Sequence, residues 1–108
     1  MTRYPQAYNG PHDAGVATIA KLPSNPDHGL IVYVESIKQS CVYDASADSW
    51  YAIGPLQNAG APSDGTSGTG VGVIFTGALC IDTTNSALYM NANTAASPLW
   101  QSLGSVST

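Results

Sequence analysis

Two histidine–carboxylate neighbours, His12–Asp13 and Asp27–His28, are the residues of this sequence best suited to acid–base chemistry. Both pairs lie in a proline-rich stretch at the start of the chain. A catalytic histidine needs a rigid partner that orients its ring and a pocket that receives a substrate. Such a stretch offers neither, so we expect no catalytic residues. The spacing of the four side chains does not match a zinc site, and we expect no metal and no cofactor.

Two further patterns resemble ligand sites only superficially. Asp44, Asp48 and Asp64 could offer oxygens to Ca²⁺, but they lack the density of an EF-hand loop, so we expect turn-forming aspartates. The segment Gly65–Gly72, GTSGTGVG, is rich in glycine like a phosphate-binding loop. It lacks the Lys-Ser/Thr ending and a following helix, which predicts a flexible loop instead.

The cysteines and aromatic residues have both structural and functional interpretations. Cys41 and Cys80 each lie in an apolar run, which favours buried free thiols, although a single bridge between them stays open. Several aromatic residues could line a sugar-binding surface, but their repeated positions favour packing. Tyr51 has no aromatic counterpart and is the better candidate for an exposed contact.

Composition excludes several classes of function. The chain has 108 residues, a net charge of −4 and only three cations, Arg3, Lys21 and Lys38. Three scattered cations cannot form the basic patch that binds nucleic acid or an anionic membrane surface. No apolar run is long enough to span a bilayer, and the first residues lack a signal-peptide core. We therefore expect a soluble protein made in a cytoplasm. Its weakly charged surface either relies on Ser, Thr, Asn and Gly for solubility or is covered in part by partners.

The elements that carry these residues are predicted to be short strands. β-branched and aromatic runs alternate with turn residues, and no window has helical periodicity. The predicted fold class is mainly β, with two related β-hairpin units that are intertwined or packed as an oligomer. The predicted boundaries are an extended N-terminal arm at 1–28, a first hairpin unit at 29–56, a Gly/Ser/Thr-rich loop at 57–72 and a second hairpin unit at 73–108, with a short strand at its beginning, 73–76.

The two hairpin units form an internal repeat. GLIVYVES…CVYD…WYAIG parallels GALCIDTT…ALYM…WQSLG, and the longer spacing in the second copy falls within residues 93–98. A two-stranded hairpin is marginal alone, so its apolar side chains must be covered by a tryptophan, by the other unit or by another chain. The repeat predicts six packing residues: Tyr43, Trp50, Ile53, Tyr89, Trp100 and Leu103.

Residues 77–104, about a quarter of the chain, resemble a motif of bacteriophage fibre and virion-surface proteins. The motif reads Gly-x-Leu-x-[Ile/Val]-Asp-Thr-Thr-Asn-x-x-Leu-Tyr-x-Asn, then a loop, a tryptophan and a closing glycine. The first hairpin unit is a looser copy because it has Glu-Ser-Ile-Lys in place of the Asp-Thr-Thr-Asn turn. The resemblance implies a structural β module of trimeric fibres, head fibres or capsid decoration proteins, without enzymatic activity.

The function expected from this resemblance is capsid decoration, as a cement or head-fibre protein on the outer shell of a virion. Its expected partners are itself, in a homotrimer, and the major capsid protein. An adhesion module that binds host glycans is the alternative, and a polysaccharide-degrading domain ranks last because no pair of carboxylates can be placed in a cleft. The candidate partner contacts are Tyr4, Tyr8, Val16, Ile19, Leu22 and Tyr51.

Overall fold

The computed structural model of the protein describes residues 15–105 and shows a mainly β chain, which confirms the predicted fold class. Its helical content is two short 3-10 turns, Ile19–Lys21 and Glu35–Ile37. No helix in the described range is long and apolar enough to cross a membrane. Eight strands form two four-stranded sheets: β1 (Gly15–Val16), β2 (Ile31–Val34), β3 (Gln39–Asp44) and β4 (Ser49–Ala52) in the first, and β5 (Leu56–Asn58), β6 (Leu79–Asp82), β7 (Ala87–Asn91) and β8 (Trp100–Ser105) in the second.

Both sheets have one topology. The first strand of each runs parallel to the second, and the second, third and fourth form an antiparallel meander. Equivalent hydrogen bonds lie 48 positions apart: the Gly29 N–H donates to the Tyr43 carbonyl, and the Gly77 N–H donates to the Asn91 carbonyl, both at 2.8 Å. The repeat seen in the sequence is therefore a structural repeat.

The two tryptophans are equivalent, but the two tyrosines that were matched with each other are not. Trp50 lies opposite Tyr43 and Trp100 lies opposite Asn91, so Asn91 is the counterpart of Tyr43. The predicted match of Tyr43 with Tyr89 is wrong by two residues. Both still point inward, because two residues are one full period of a strand. The extra residues of the second copy lie in the β7–β8 loop, where the sequence placed them.

Four of the six predicted packing residues contribute to the interior. Tyr43 and Trp100 are buried, and the half-buried Trp50 and Tyr89 pack against the core. The other two predictions are wrong for this chain, because Ile53 is 43% exposed and Leu103 is 54% exposed. Ile53 lies three residues after Trp50, and an odd step along a strand reverses the face of the sheet. Leu103 lies at a bulge in β8, because Ser102 is opposite Tyr89 and Gly104 is opposite Leu88.

The glycine-rich connection between β5 and β6, residues 59–78, is packed, whereas the sequence predicted a flexible loop at 57–72. Its core residues lie just beyond the predicted end of that loop. Val73 and Ile74 are fully buried, although residues 73–76 do not form the predicted strand. The Ala52 N–H donates to the Val73 carbonyl at 2.8 Å. A β-carbon on Gly70 would come within 2.6 Å of the Leu56 side chain, so this approach requires glycine. The buried cluster spans both sheets and this connection: Val34, Cys41, Ala52, Leu56, Val73, Ile74, Ala78, Cys80 and Trp100.

The predicted N-terminal arm belongs in part to the first sheet. β1 pairs with β2, so the boundary predicted at residue 28 divides a structural unit, as the boundary at residue 56 divides β5. Val16, Ile19 and Leu22 pack against the core of their own chain, which corrects their prediction as partner contacts. Tyr4 and Tyr8 lie outside the described residues.

Replacing Trp100 with alanine should lower the free energy of unfolding by about 3–5 kcal/mol, the usual cost of truncating a large buried aromatic side chain. Chemical denaturation followed by circular dichroism measures the change. Trp50→Ala is the matched control, because Trp50 occupies the same position in the other repeat but is only half-buried. We expect Trp50→Ala to cost less than about 3 kcal/mol. Equal decreases in the free energy of unfolding would contradict the difference in burial between Trp100 and Trp50.

Candidate functional site

The outward face of each sheet is largely apolar, and Asp44, at the end of β3, is the one acidic or basic side chain that strand alternation places on either face in the described range. Strand alternation and register place five large apolar residues on each. Single exposed apolar side chains are ordinary, but contiguous ones that reach a few hundred Å² mark interaction surfaces. We call these surfaces the first outer face and the second outer face. The first consists of Ile31, Tyr33, Val42, Tyr51 and Ile53, and the second of Leu79, Ile81, Leu88, Met90 and Leu103.

An open groove of about 680 Å³ runs over the second outer face. Ile81, Leu88 and Leu103 line it, and the β6–β7 turn forms its polar rim through Asp82, Thr83 and Ser86. Neighbouring strands lie within the reach of side chains here, because Ile81 and Leu88 are directly opposed in the register. The groove therefore offers an apolar floor beside a rigid turn, which suits an extended or apolar surface of another macromolecule.

Asp82 holds the turn beside this groove. Its side chain is buried, and its Oδ1 accepts hydrogen bonds from the N–H groups of Gly60, Thr84 and Asn85 at 2.9–3.0 Å. Its Oδ2 accepts a bond from Asn85 Nδ2 at 2.8 Å. These bonds, led by the one from the Asn85 side chain, lower the pKa of Asp82, against the opposing effect of burial. A carboxylate with its acceptor sites occupied in this way acts as a structural clamp.

Asp44 begins a similar turn in the first sheet. Its Oδ1 accepts hydrogen bonds from the Ser46 hydroxyl at 2.7 Å and the Ser46 N–H at 3.0 Å, and the hydroxyl bond is the main cause of its lowered pKa. The Ala45 N–H donates to His28 Nδ1 at 3.0 Å. The same nitrogen lies 3.9 Å from Asp44 Oδ1. These residues stabilise a turn and hold no reactive geometry.

Asn91 ties the β7–β8 loop to the glycine-rich connection. Its side chain is fully buried, and its Nδ2 donates to the carbonyls of Ile74, Phe75 and Thr94 at 3.2–3.4 Å. Its Oδ1 accepts hydrogen bonds from the N–H groups of residues 93 and 99 at 2.9 and 3.0 Å. The amide of Asn91 thus bonds five backbone groups in segments that have no strand partner at this point.

The candidate ligand sites of the sequence are structural in the described range. The Tyr43 hydroxyl donates to Asp48 Oδ1 at 2.6 Å, and the backbone N–H of Trp100 donates to Asp64 Oδ1 at 2.7 Å. In the glycine-rich segment, five N–H groups already donate to backbone carbonyls, so they do not converge on an anion as a phosphate loop requires. These are the N–H groups of Gly65, Gly68, Thr69, Val71 and Gly72.

Residues 15–105 contain no group of three or more His, Cys, Asp or Glu side chains that could hold a metal ion. His12 and Asp13 fall outside the described part of the chain. Cys41 and Cys80 are free and fully buried, in agreement with the favoured prediction. Burial raises the pKa of each thiol to about 11, so neither is a nucleophile near neutral pH.

Tyr51 is half-buried, and its ring meets Phe75 edge-on with centroids 5.5 Å apart. It belongs to the first outer face, opposite Val42. Sequence reasoning selected Tyr51 and missed most of both outer faces, such as Ile31 and Leu79. Their signal is visible in the continuous apolar runs LIVYV and ALCI, which are typical of strands covered on both faces.

Replacing Asn91 with alanine should destabilise the protein by about 3 kcal/mol or more, because one buried and four part-buried backbone groups lose their partner, at about 1–3 kcal/mol for a fully buried group. Asn93→Ala is the matched control in the same loop, since Asn93 is exposed and donates one side-chain bond, to the Ser97 carbonyl. We expect the control to cost about 1 kcal/mol or less. Denaturant unfolding measures both variants, and similar costs would contradict the assigned role of Asn91.

The lowered pKa of Asp82 predicts an acid-sensitive stability. A depressed pKa stabilises the fold above the ordinary value of 3.8, and this contribution is lost as the pH falls through the lower folded value. The melting temperature should therefore fall in acid. Asp82→Asn should melt at a lower temperature than the native protein at pH 7, because the new amide nitrogen faces the Asn85 amide. This difference in melting temperature should narrow below pH 3.8, where the native carboxylate becomes protonated. Parallel melting curves of the two proteins from pH 7 to pH 2 would refute this role.

No protein-family model, curated protein or solved structure matches the chain.

Proposed function

We propose that this protein is a non-enzymatic structural protein of a bacteriophage virion, a capsid decoration protein of the cement or head-fibre type. In this role it forms a homotrimer, binds the major capsid protein on the outer shell and stabilises the shell. The observation that carries the proposal is the pair of largely apolar outer faces. Eight large apolar side chains in the described range are between 37% and 54% exposed, and they occur on both sheets and beside them.

Such faces favour burial against other protein chains. Removing apolar surface from water contributes about 25 cal/mol per Å², so covering even part of these faces stabilises an assembly. The low charge acts in the same direction, because few ionised groups must be desolvated when the surfaces meet. Multiple copies that bind the assembled shell but not its separate subunits stabilise the shell by mass action.

The resemblance of residues 77–104 to virion-surface proteins supplies the biological setting of the proposal. The motif coincides with β6, β7 and β8, and its Asp-Thr-Thr-Asn element is the turn that Asp82 holds. A turn with this many internal bonds keeps its shape at a surface, which suits a module whose role is to present an outer face. These features support a structural role and use none of the chemistry that an enzyme requires.

Cosedimentation with purified capsids of the phage, prepared without this protein, tests the proposal. We expect saturable binding with a fixed number of copies per capsid and a higher temperature of capsid disruption. Leu103→Glu is the disruptive variant, because it places a charge in the groove, and Thr84→Glu on the exposed β6–β7 turn is the charge-matched control. We expect Leu103→Glu to weaken binding at least tenfold and Thr84→Glu to bind like the native protein. Absence of binding by the native protein would refute capsid decoration.

A further inference from the structure

The contact between the two repeats shows how one repeat of this fold binds the next. At the outer edge of β4, the Ala52 N–H donates to the Val73 carbonyl at 2.8 Å, and Tyr51 meets Phe75 edge-on. The receiving strand thus gains a backbone hydrogen bond and an aromatic contact. The segment that provides them immediately precedes the second hairpin. We call residues 69–76 the second lead segment.

The first hairpin is preceded by an equivalent segment, residues 23–28, which we call the first lead segment. Each begins at the carbonyl that accepts the indole N–H of its own repeat's tryptophan: Pro23 for Trp50 and Thr69 for Trp100, both at 3.2 Å. Each ends in the same turn, because the carbonyls of Asp27 and Phe75 accept hydrogen bonds from the N–H groups three residues later. Counted back from this turn, Asn25 is the counterpart of Val73, although the first lead segment is two residues shorter and Asn25, unlike Val73, has a positive φ of 55°.

The outer edge of β4 at Ala52 has an equivalent in the outer edge of β8. Ser102 is the counterpart of Ala52, because Ala52 lies opposite Cys41 and Ser102 opposite Tyr89. The Trp100 N–H points away from β7 toward Asp64, so antiparallel alternation turns the Ser102 N–H to the same side two residues later. Ser102 is exposed, and no hydrogen bond from its N–H to a loop or a side chain occurs among residues 15–105.

One chain therefore contains one completed contact and both halves of a second. The completed contact joins the second lead segment to β4. The open halves are the β8 edge at Ser102 and the first lead segment, where Asn25 and Asp27 are exposed. Stacked repeats bury their faces on one another, and an array of two leaves both of its terminal surfaces uncovered. An unpaired strand edge is also a ready template for another chain.

We infer that the β8 edge of one copy binds the first lead segment of a second copy, in the arrangement by which β4 binds the second lead segment within the chain. The Ser102 N–H donates to the Asn25 carbonyl of the second copy, and Gln101 lies beside its Asp27. The interface is heterologous, so repeated use closes a ring or builds a filament. The homotrimer proposed above is then a ring of six repeats.

The chemistry of the two contacts predicts a weaker bond between chains than within one. Tyr51 and Phe75, which touch within the chain, are replaced by Gln101 and Asp27 between chains. The apolar Val73 is replaced by Asn25. The interchain contact is therefore polar and lacks the covalent connection that holds the repeats of one chain together, so assembly should be reversible and dependent on concentration.

Sedimentation equilibrium of the full chain across a range of concentrations tests this inference. Ser102→Pro removes only the outward donor, because proline is tolerated where an edge N–H does not join the ladder. Ser102→Ala keeps the N–H and is the matched control. We expect the native protein and Ser102→Ala to associate, and Ser102→Pro, with an unchanged circular dichroism spectrum, to stay monomeric. A folded Ser102→Pro that associates like the native protein, or a native protein that stays monomeric, would overturn the inference.

A second variant keeps the test decisive if Ser102→Pro does not fold. Asp27→Phe combined with Gln101→Tyr recreates between chains the aromatic pair that Tyr51 and Phe75 make within one chain. We expect the dissociation constant to fall about two- to tenfold, the effect of one aromatic pair. The single variants, each able to form only half of the pair, are the controls. A double variant that associates no more tightly than either single variant would overturn the proposed geometry.

This inference deepens the proposed structural role, but it can fail separately from it. Native protein and Ser102→Pro are added to the capsids used above. A native monomer that still binds capsids would refute the head-to-tail contact and leave capsid decoration standing. Head-to-tail assemblies that do not bind capsids would refute decoration and leave the contact standing.

Discussion

The two sheets are joined by residues that belong to no strand. Val73 and Ile74 lie in the glycine-rich connection, are fully buried and share one apolar cluster with both sheets. The Val73 carbonyl also accepts the hydrogen bond of the outward Ala52 N–H. A two-stranded hairpin is marginal alone, and here each sheet gains its cover from this connection. The fold therefore depends on a segment whose composition resembles a linker.

Buried polar side chains hold the irregular segments in place around that cluster. Asn91 bonds five backbone groups, and Asp82 bonds the glycine-rich connection to its own turn. Buried backbone groups outside strands need such partners, because water cannot reach them. Asn91 and Asp82 thus hold the irregular segments through hydrogen bonds, as Val73 and Ile74 hold the two sheets through apolar packing. Together they allow a chain with many glycines and few charges to adopt a single arrangement of loops.

The same repeat that organises the core also determines which surfaces stay uncovered. The glycine-rich connection and the tryptophans cover the inward faces of the two sheets, and each sheet leaves an apolar outward face. Within the chain, the edge of the first unit meets the second unit. The corresponding edge of β8 and the first lead segment have no such neighbour in the described range. A protein built in this way gains further burial through other chains, which connects its small core to the proposed role in an assembly.

The sequence by itself determined the fold class, the internal repeat, the equivalence of the tryptophans and the place of the longer loop. These are local properties: strand periodicity and turn residues require no knowledge of distant contacts. It could not reveal the packing of residues 57–76, because glycine-rich composition predicts flexibility and the burial of Val73 depends on two sheets that are distant in the chain. It also misplaced Ile53 and Leu103, and it matched Tyr43 with Tyr89 instead of Asn91. Only the tertiary structure decided these points, because register and face follow from hydrogen bonds between strands, and a shift of one residue reverses every side chain.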